Sequence, residues 1–256
     1  RLDLKDAYLS IPIHLNYRKF LQFHWLGSFY HFTALPFGLS SAPWVFTKLL
    51  KPIVTHLRAL GVRLIIYLDD ILILSQDKHL LLDHLLMTVN LFQDLGFVIN
   101  QDKSILSPVQ SIEFLGFLVD SQACTLQLTQ SRLLNIRKEL SLLLKCSHIS
   151  LRHLARVVGL LASSIQAVFP GPLHYRALQR LKIRHLRKGL SYSDLIPLDQ
   201  ETIEEVLWWL NHLQAWNGRS IFNSVPDLLL ESEASLSGWG ARCGQFSTGG
   251  VWSKKE

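Results

Sequence analysis

Hydrophobic and polar residues alternate along the first part of the chain as they do in short strands and amphipathic helices. Strand-like segments comprise residues 2–13, 21–25, 29–34, 63–74, 97–99 and 111–119, and Gly27 and Ser28 between two of them predict a hairpin. Helical periodicity covers residues 44–60 and 78–95, and a glycine follows each segment. The order of these elements predicts a mixed α+β unit that ends near residue 122.

The second half of the chain is mainly helical. Helical periodicity extends over residues 131–186, with a break at 170–172, and a further helix is predicted over 201–216. Residues 221–230 and 236–243 again resemble strands. We therefore expect three parts: a mixed unit over residues 1–122, a helical unit over 123–222, and the start of a β-containing unit over 223–256.

Positive charge is concentrated in the predicted helical unit. The chain has a net charge of +6, yet the stretch from Arg132 to Lys188 contains twelve Lys and Arg residues and one acid, Glu139. A helical segment this basic suits a polyanion, since each neutralised phosphate releases bound counterions. A solvated helical surface is the alternative, and contact with nucleic acid is the favoured interpretation.

Composition excludes several classes of protein. With 48% hydrophobic residues among 256, the chain can bury a core and is not a disordered tail. No apolar run approaches the ~18 residues of a membrane span, and the three cysteines show neither a disulfide framework nor zinc-ligand spacing. We expect an intracellular protein without a membrane partner. Because the chain begins with Arg1 and its single methionine is Met87, we also expect a piece of a longer product.

Two adjacent acids, Asp69 and Asp70, interrupt an otherwise apolar strand segment. Burying two anions costs several kcal/mol each unless a positive partner is present, and Mg²⁺ is a natural partner for carboxylate oxygens. An ordinary hairpin with Asp-Asp at an exposed turn is the alternative. A second strand-like segment also contains an acid, Asp3. If the two strands meet, three carboxylates would suffice to hold two Mg²⁺ ions for phosphoryl transfer.

These segments resemble the palm motifs of retrotransposon reverse transcriptases. Asp3 lies in LDLKDAY, and the motifs LPFGLSSAP (35–43), YLDD (67–70), GFVINQDK (96–103) and FLGF (114–117) follow in order. Downstream, LARVVGLLASSIQAV and SEASLSGWGA resemble DIRS-like elements, which carry a tyrosine recombinase.

The resemblance implies an α+β fold: a polymerase palm whose antiparallel sheet packs on helices, a helical thumb or connection, and the first strands of a ribonuclease H-like α/β domain. It implies that Asp3, Asp69 and Asp70 hold two Mg²⁺ ions, for which Mn²⁺ can substitute. It implies an RNA-directed DNA polymerase whose partners are an RNA or DNA primer–template and dNTPs.

Further roles are carried over position by position. Leu4, Tyr8 and Phe37 are implied to bind the nucleotide, with the Tyr8 ring excluding a 2′-hydroxyl. Lys103 is implied to protonate the leaving pyrophosphate, as a positioned cationic acid can. The residue types alone leave other interpretations open: a core tyrosine, a packing phenylalanine and a solvated turn lysine.

Two further sites follow from the resemblance. Phe114, Leu115 and Gly116 are implied to form a primer grip, although without the resemblance they would be an ordinary apolar strand. Glu233 takes the position of the Asp that usually opens a ribonuclease H site. The other acids of that site would lie beyond residue 256 and the fingers segment would lie upstream, so we expect no ribonuclease H activity and weak polymerisation by this fragment.

Two hypotheses of other classes compete with a polymerase. A decayed or co-opted copy would bind nucleic acid without synthesis, and a metal-dependent nuclease would use the same acids to cut strands. The sequence does not indicate an oligomeric state.

Overall fold

The protein is described by a computed structural model that covers residues 1–222 and 227–253. Its chain forms two compact units, one of residues 1–219 and a second that begins at Ser220. In the part of the chain that is described, no helix is both long and apolar enough to cross a membrane.

The first sheet of the larger unit contains the acidic segments. Its strands are β1 (Leu2–Lys5), β4 (Arg63–Tyr67), β5 (Asp70–Leu74) and β6 (Val98–Ile99). Two further strands, β2 (Gln22–Trp25) and β3 (Ser28–His31), lie between β1 and β4 in the chain. The order in the sheet is β4-β5-β1-β6, and the pairs β4–β5, β5–β1 and β1–β6 are antiparallel. β2 and β3 form the separate hairpin that Gly27 and Ser28 predict.

Two helices accompany this sheet, α1 (Ala42–Ala59) and α2 (Lys78–Asp94). Each has an apolar stripe at helical spacing, and Gly61 and Gly96 follow the helices with positive φ angles. Buried residues of the strands and helices form one core cluster, which includes Leu2, Phe46, Leu57, Ile71 and Phe92. The predicted helices at 44–60 and 78–95 are thereby confirmed to within two residues at each end.

The predicted first strand, residues 2–13, is wrong beyond Lys5. Asp6 adopts a left-handed conformation with φ of 50°, and the chain then turns through 3-10 helices at Ala7–Ser10 and Leu15–Phe20. Apolar content alone did not reveal this break, because a non-glycine residue rarely takes a positive φ.

A meander follows, formed by β7 (Ser111–Phe114), β8 (Phe117–Asp120) and β9 (Thr125–Leu128). Four helices then build the second core: α3 (Gln130–Lys145), α4 (Leu151–Ser164), α5 (Arg176–Arg187) and α6 (Gln200–His212). Short strands β10 (His148–Ser150) and β11 (Leu195–Pro197) pair between them. The sequence pattern missed β9, β10 and β11, which are short and are stabilised by their cross-strand partners.

The second core cluster consists largely of residues from the four helices. Trp209 is fully buried there, and its indole nitrogen donates to the carbonyl of His174 at 2.7 Å. Glu139 is a buried acid of this cluster, and it is held by His153 at 3.0 Å and Arg156 at 2.9 Å. The predicted break in the helical run is confirmed, because α4 ends at Ser164 before a 3-10 turn at Gly171–Leu173.

After the two-residue strand β12 (Arg219–Ser220), the smaller unit forms one antiparallel sheet of β13 (Leu230–Ala234), β14 (Gly238–Cys243) and β15 (Phe246–Val251). The predicted strand at 236–243 is confirmed by β14. Of the strand predicted at 221–230, residues 223–226 lie outside the described residues, and β13 begins at the end of that span. The predicted boundaries at 122 and 222 stay predictions.

Candidate active site

Two acidic residues meet across neighbouring strands of the first sheet. Asp3 in β1 is the cross-strand partner of Asp70 in β5, and directly opposed residues of an antiparallel pair place their side chains on the same face. Asp69 precedes Asp70 in the turn between β4 and β5. The backbone N–H of Leu4 donates to the carbonyl of Asp69 at 3.0 Å, which ties this turn to β1. The fold thus brings together the two acidic segments that are 66 residues apart in sequence, as the sequence analysis expects.

The turn that carries these acids is tight and strained. Tyr67 and Asp70 are paired, so only Leu68 and Asp69 form the loop, and Leu68 has a φ of 53°. A left-handed conformation costs a non-glycine residue about 1–2 kcal/mol. The core helps to retain this turn, because the Leu68 side chain packs against the first core cluster.

Asn100 and Ser104 orient Asp3, and the sequence analysis missed both. The Asn100 side-chain amide donates to Oδ1 of Asp3 at 2.9 Å, and the Asn100 backbone N–H donates to the Asp3 carbonyl at 2.8 Å. The Asp3 backbone N–H donates to Oγ of Ser104 at 3.0 Å. Both residues lie in or beside the GFVINQDK motif, so the motif located them, but only the pairing of β1 with β6 gives them a role.

The electrostatics of the site favour a cation. Burial raises the pKa of Asp70 above its ordinary value, and the nearby carboxylates of Asp69 and Asp3 raise it further, while Arg1 and Lys103 oppose this shift. Lys103 itself is exposed in the turn after β6. The Arg1 guanidinium donates to the carbonyl of Lys103 at 2.8 Å and to that of Glu113 at 3.0 Å. A cation bound here would relieve the repulsion between the acids.

The donor set fits Mg²⁺, but the carboxylates do not form a complete cage. Among the described residues, no group of three His, Cys, Asp or Glu side chains lies close enough to hold a metal ion by itself. The predicted three-carboxylate cluster is therefore not closed in this structure, where the Asp3 carboxylate accepts from Asn100 and Asp69 sits in the exposed turn. Mg²⁺ is usually held by one or two carboxylates together with waters and substrate phosphates, so this arrangement suits it.

The three residues implied to contact the nucleotide have different environments. Tyr8 packs edge-on against Phe46 and lies 5.2 Å from Phe37, measured between ring centroids. Phe37 is 67% exposed, so its ring is available for contact. Burial raises the pKa of Tyr8, as do Asp69 and Tyr67, which places this ring beside the acidic turn. Leu4 is 2% exposed and its side chain belongs to the first core cluster, and its implied contact with the nucleotide stays a prediction.

The residues implied to grip the primer form a sharp hairpin. Phe114 pairs with Phe117, and between them Leu115 and Gly116 have φ angles of 50° and 77°. Phe114 is buried and anchors the strand, whereas Leu115 is 40% exposed at the tip. The implied primer contacts of Phe114, Leu115 and Gly116 stay predictions, and Leu115 at the tip is the more accessible side chain.

One family model matches the first part of the chain. Residues 1–119 match the family described as Reverse transcriptase (RNA-dependent DNA polymerase). Over these residues the chain is similar to reverse transcriptases of the retroelement and retroviral Pol type. The matched segment contains Asp3, Asp69, Asp70 and the tip of the β7–β8 hairpin.

Individual relatives agree with the reverse transcriptase match. The chain is 30% identical over 118 residues to a retrovirus-related Pol polyprotein from transposon gypsy of Drosophila melanogaster, covering 46% of this chain and 11% of that protein. It is 29% identical over 240 residues to the Gag-Pro-Pol polyprotein of bovine leukemia virus, covering 89% of this chain and 16% of that protein. The chain thus spans a small part of the length of these relatives.

The solved structures show the same fold. The chain matches the foamy viral protease–reverse transcriptase dRH in complex with double-stranded DNA with a TM-score of 0.67 and 19% identity, covering 100% of this chain and 43% of that one. It also matches the foamy viral protease–reverse transcriptase in complex with an RNA/DNA hybrid, with a TM-score of 0.67, 19% identity, 99% of this chain and 33% of that one. These matches show a mixed α+β fold along the whole chain.

Glu233 lies outside the segment that matches the reverse transcriptase family. It is exposed in β13 and pairs with Gly240 of β14, while Glu231 pairs with Arg242. Within the described residues, no cluster of metal ligands includes Glu233.

Proposed function

We propose that this chain is the palm and thumb region of a retrotransposon RNA-directed DNA polymerase, which adds dNTPs to a primer 3′-hydroxyl on an RNA or DNA template. The observation that carries the proposal is the cross-strand pairing of Asp3 with Asp70 beside the strained turn that holds Asp69. Acids placed in this way are costly for folding and useful for phosphoryl transfer.

In the proposed mechanism the protein positions charge and excludes the wrong sugar. Asp3, Asp69 and Asp70 would hold two Mg²⁺ ions together with substrate phosphates and waters, and Asn100 fixes the Asp3 carboxylate through its hydrogen bond. The chemistry that Mg²⁺ supplies when bound is activation of the attacking hydroxyl and neutralisation of charge on the phosphates. Tyr8 lies under the sugar of the incoming nucleotide, and Lys103 donates a proton to the pyrophosphate as the oxygen–phosphorus bond breaks.

The charge distribution around the site supports a polyanionic substrate. The chain contains no Asp or Glu from Ala7 to Leu68, which includes the β2–β3 hairpin and α1. The basic residues from Arg132 to Lys188 belong to the helical unit, which we assign as the thumb. A nucleic-acid duplex held between these two regions would contact acidic side chains mainly at the end where the primer 3′-hydroxyl reacts.

We further infer that the parent product is an intracellular DIRS-like retroelement protein and that residues 223–256 begin a ribonuclease H-like domain. The support is the sequence resemblance of LARVVGLLASSIQAV and SEASLSGWGA. The test is whether the element that encodes the chain also encodes a tyrosine recombinase; a DDE-type integrase in its place would contradict the DIRS-like assignment.

The decisive experiment is primer extension on an RNA template with Mg²⁺, using the full-length parent protein, with Asp69→Asn and Asp70→Asn as variants. We expect each substitution to lower the incorporation rate by a factor on the order of 10³ or more, because each removes a negative charge from the metal site. We expect the primer–template dissociation constant to change less than about threefold, because neither acid lies in the basic unit.

Three other outcomes would each contradict the proposal. Binding without synthesis by the unsubstituted protein would indicate a co-opted copy. Strand cleavage without dNTPs that Asp70→Asn abolishes would indicate a nuclease. Synthesis that survives both substitutions would refute the assignment of the site.

A further inference from the structure

Arg132 joins three parts of the chain that are distant in sequence. It lies in the first turn of α3, and its guanidinium carbon sits 4.8 Å above the ring of Phe117 in β8. Nη2 donates to the carbonyl and to Oγ of Ser163 near the end of α4, at 2.9 and 2.6 Å. Nη1 reaches the carbonyl of Gly116 at 3.5 Å. One side chain thereby connects the tip of the β7–β8 hairpin to two helices of the second core.

The environment of Arg132 is unusual for a charged residue. It is half-buried, and burial lowers the pKa of its guanidinium from the ordinary value, although an arginine at this depth keeps its charge. No ion pair within the described residues includes Arg132. Its charge is instead compensated by carbonyl and hydroxyl oxygens and by an aromatic face. Only a planar fork with several donors can satisfy this set at once, which a lysine cannot do.

The tip of the β7–β8 hairpin packs closely against the Arg132 side chain. A Cβ atom added to Gly116 would lie 3.1 Å from Nη1 of Arg132, which is closer than ordinary van der Waals contact. The tip carries Leu115, which is 40% exposed and precedes Gly116 with a φ of 50°. The position of Leu115 therefore depends on what Arg132 holds.

We propose that Arg132 is a positioning residue that locks the hairpin tip, Leu115 and Gly116, to helices α3 and α4, so that the primer end and the helical unit move together relative to the carboxylates. The proposal rests on the proposed function, because it assumes that the tip contacts the primer. Arg132 itself touches no reacting atom. Through this link, the position of the primer 3′-hydroxyl would depend on the position of the helical unit.

The test compares Arg132→Gln with Arg137→Gln in the full-length parent protein. Arg137 lies on the same helix and is exposed, and its side chain has no hydrogen bond or ion pair in the described part of the chain. Both variants lose one positive charge from α3, so any loss of primer–template affinity common to both reflects charge alone. We expect Arg132→Gln to slow the single-turnover incorporation rate about tenfold or more relative to Arg137→Gln, since small misplacements of reacting groups have effects of this size.

The burst of product formation separates positioning from simple destabilisation. A variant that merely folds less well has a smaller burst amplitude at an unchanged burst rate, whereas a displaced primer end gives a slower burst at full amplitude. Ser163→Ala removes one acceptor of Arg132 without changing charge, and we expect a smaller effect in the same direction. In the double variant Ser163→Ala should add little to Arg132→Gln. Equal burst rates for Arg132→Gln and Arg137→Gln would overturn the proposal.

A binding measurement keeps the test independent of catalysis. A primer with 2-aminopurine at its 3′ end reports stacking at the terminus when it is bound in the absence of divalent metal. We expect the fluorescence of the bound primer to differ between Arg132→Gln and Arg137→Gln. Identical fluorescence would contradict the positioning role even if the protein performs no synthesis. If the unsubstituted protein performs no synthesis but the fluorescence differs between the two variants, only the polymerase assignment is refuted.

Discussion

At the scale of single residues, the acids are arranged for function at the expense of stability. Asp70 is half-buried beside two other carboxylates, and both effects raise its pKa. Lys103 and Arg1 oppose the shift without forming an ion pair with Asp70 among the described residues. Without a metal ion, the folded protein therefore holds an unfavourable charge at neutral pH.

This imbalance predicts a pH-dependent stability difference between the protein and its Asp70→Asn variant. The folded-state pKa of Asp70 is raised above the unfolded value of about 3.9. Between these two pKa values the folded state therefore binds more protons than the unfolded state. Stability is therefore lost as pH rises from there through the folded-state pKa, and it stays lower above it. Urea unfolding in EDTA should show that Asp70→Asn gains stability relative to the original protein over this range.

Two controls accompany that measurement. Asp102→Asn removes an exposed acid from the turn after β6 and serves as the charge-matched control, which should not reproduce the stability gain of Asp70→Asn. Added Mg²⁺ should stabilise the original protein but not Asp70→Asn, because the cation offsets the charge that the variant lacks. A difference between the original protein and Asp70→Asn that is independent of pH would contradict this account of Asp70.

At the scale of elements, hairpins position the groups that matter. The β4–β5 turn places Asp69 and Asp70 through a positive φ at Leu68, and the β7–β8 turn places Leu115 and Gly116 through positive φ angles. Both hairpins would be marginal alone, so they depend on β1, α3 and the cores beneath them.

The β7–β8 turn predicts a graded effect of two glycine substitutions. Gly61 and Gly116 have φ angles of 87° and 77°, so alanine at either position carries a left-handed strain of about 1–2 kcal/mol. Gly61 has no neighbour within 4 Å of an added Cβ, whereas Gly116 meets Arg132. Chemical denaturation should show that Gly116→Ala costs more than Gly61→Ala. An equal loss of stability in the two variants would mean that the Arg132 side chain moves aside without an energetic cost.

At the scale of the whole molecule, charge is divided between an acidic site and a basic helical unit. Several cations of that unit are already paired, among them Arg180 with Glu201 and Arg184 with Asp199. Arg187 and Lys188 at the end of α5 are exposed and have no ion pair in the described residues. Arg187 and Lys188 are therefore better placed to contact phosphates than Arg180 and Arg184, whose charges are already paired.

This difference predicts a salt dependence that varies between two matched variants. Each phosphate contact contributes about −0.9 to the slope of log affinity against log salt concentration. The double variant Arg187→Gln/Lys188→Gln should make this slope less steep for primer–template binding by the contribution of one to two phosphate contacts. The double variant Arg180→Gln/Arg184→Gln should change the slope less. Fluorescence anisotropy between about 50 and 200 mM salt measures the slopes. Identical slopes would place the nucleic acid on another surface.

Local pattern was sufficient for most of the elements and for the acids. Helices α1 and α2, the β2–β3 hairpin and the YLDD turn follow from periodicity, turn residues and an apolar run broken by charge. The acids could be singled out because anions in a strand need a physical reason to be there. The resemblance then joined Asp3 to Asp70, and the register confirmed that they meet.

Other features depended on contacts between distant segments and were therefore invisible in the linear pattern. The fold buries the side chains of Leu4 and Phe114, although their motifs place them beside the site. Strand pairing gave Asn100 its hydrogen bond to Asp3, and helix packing brought Ser163 and Gly116 to Arg132. Sequence pattern reports the local preference of a residue, whereas the partner of a polar group is chosen by whichever segments the tertiary fold brings within hydrogen-bond distance.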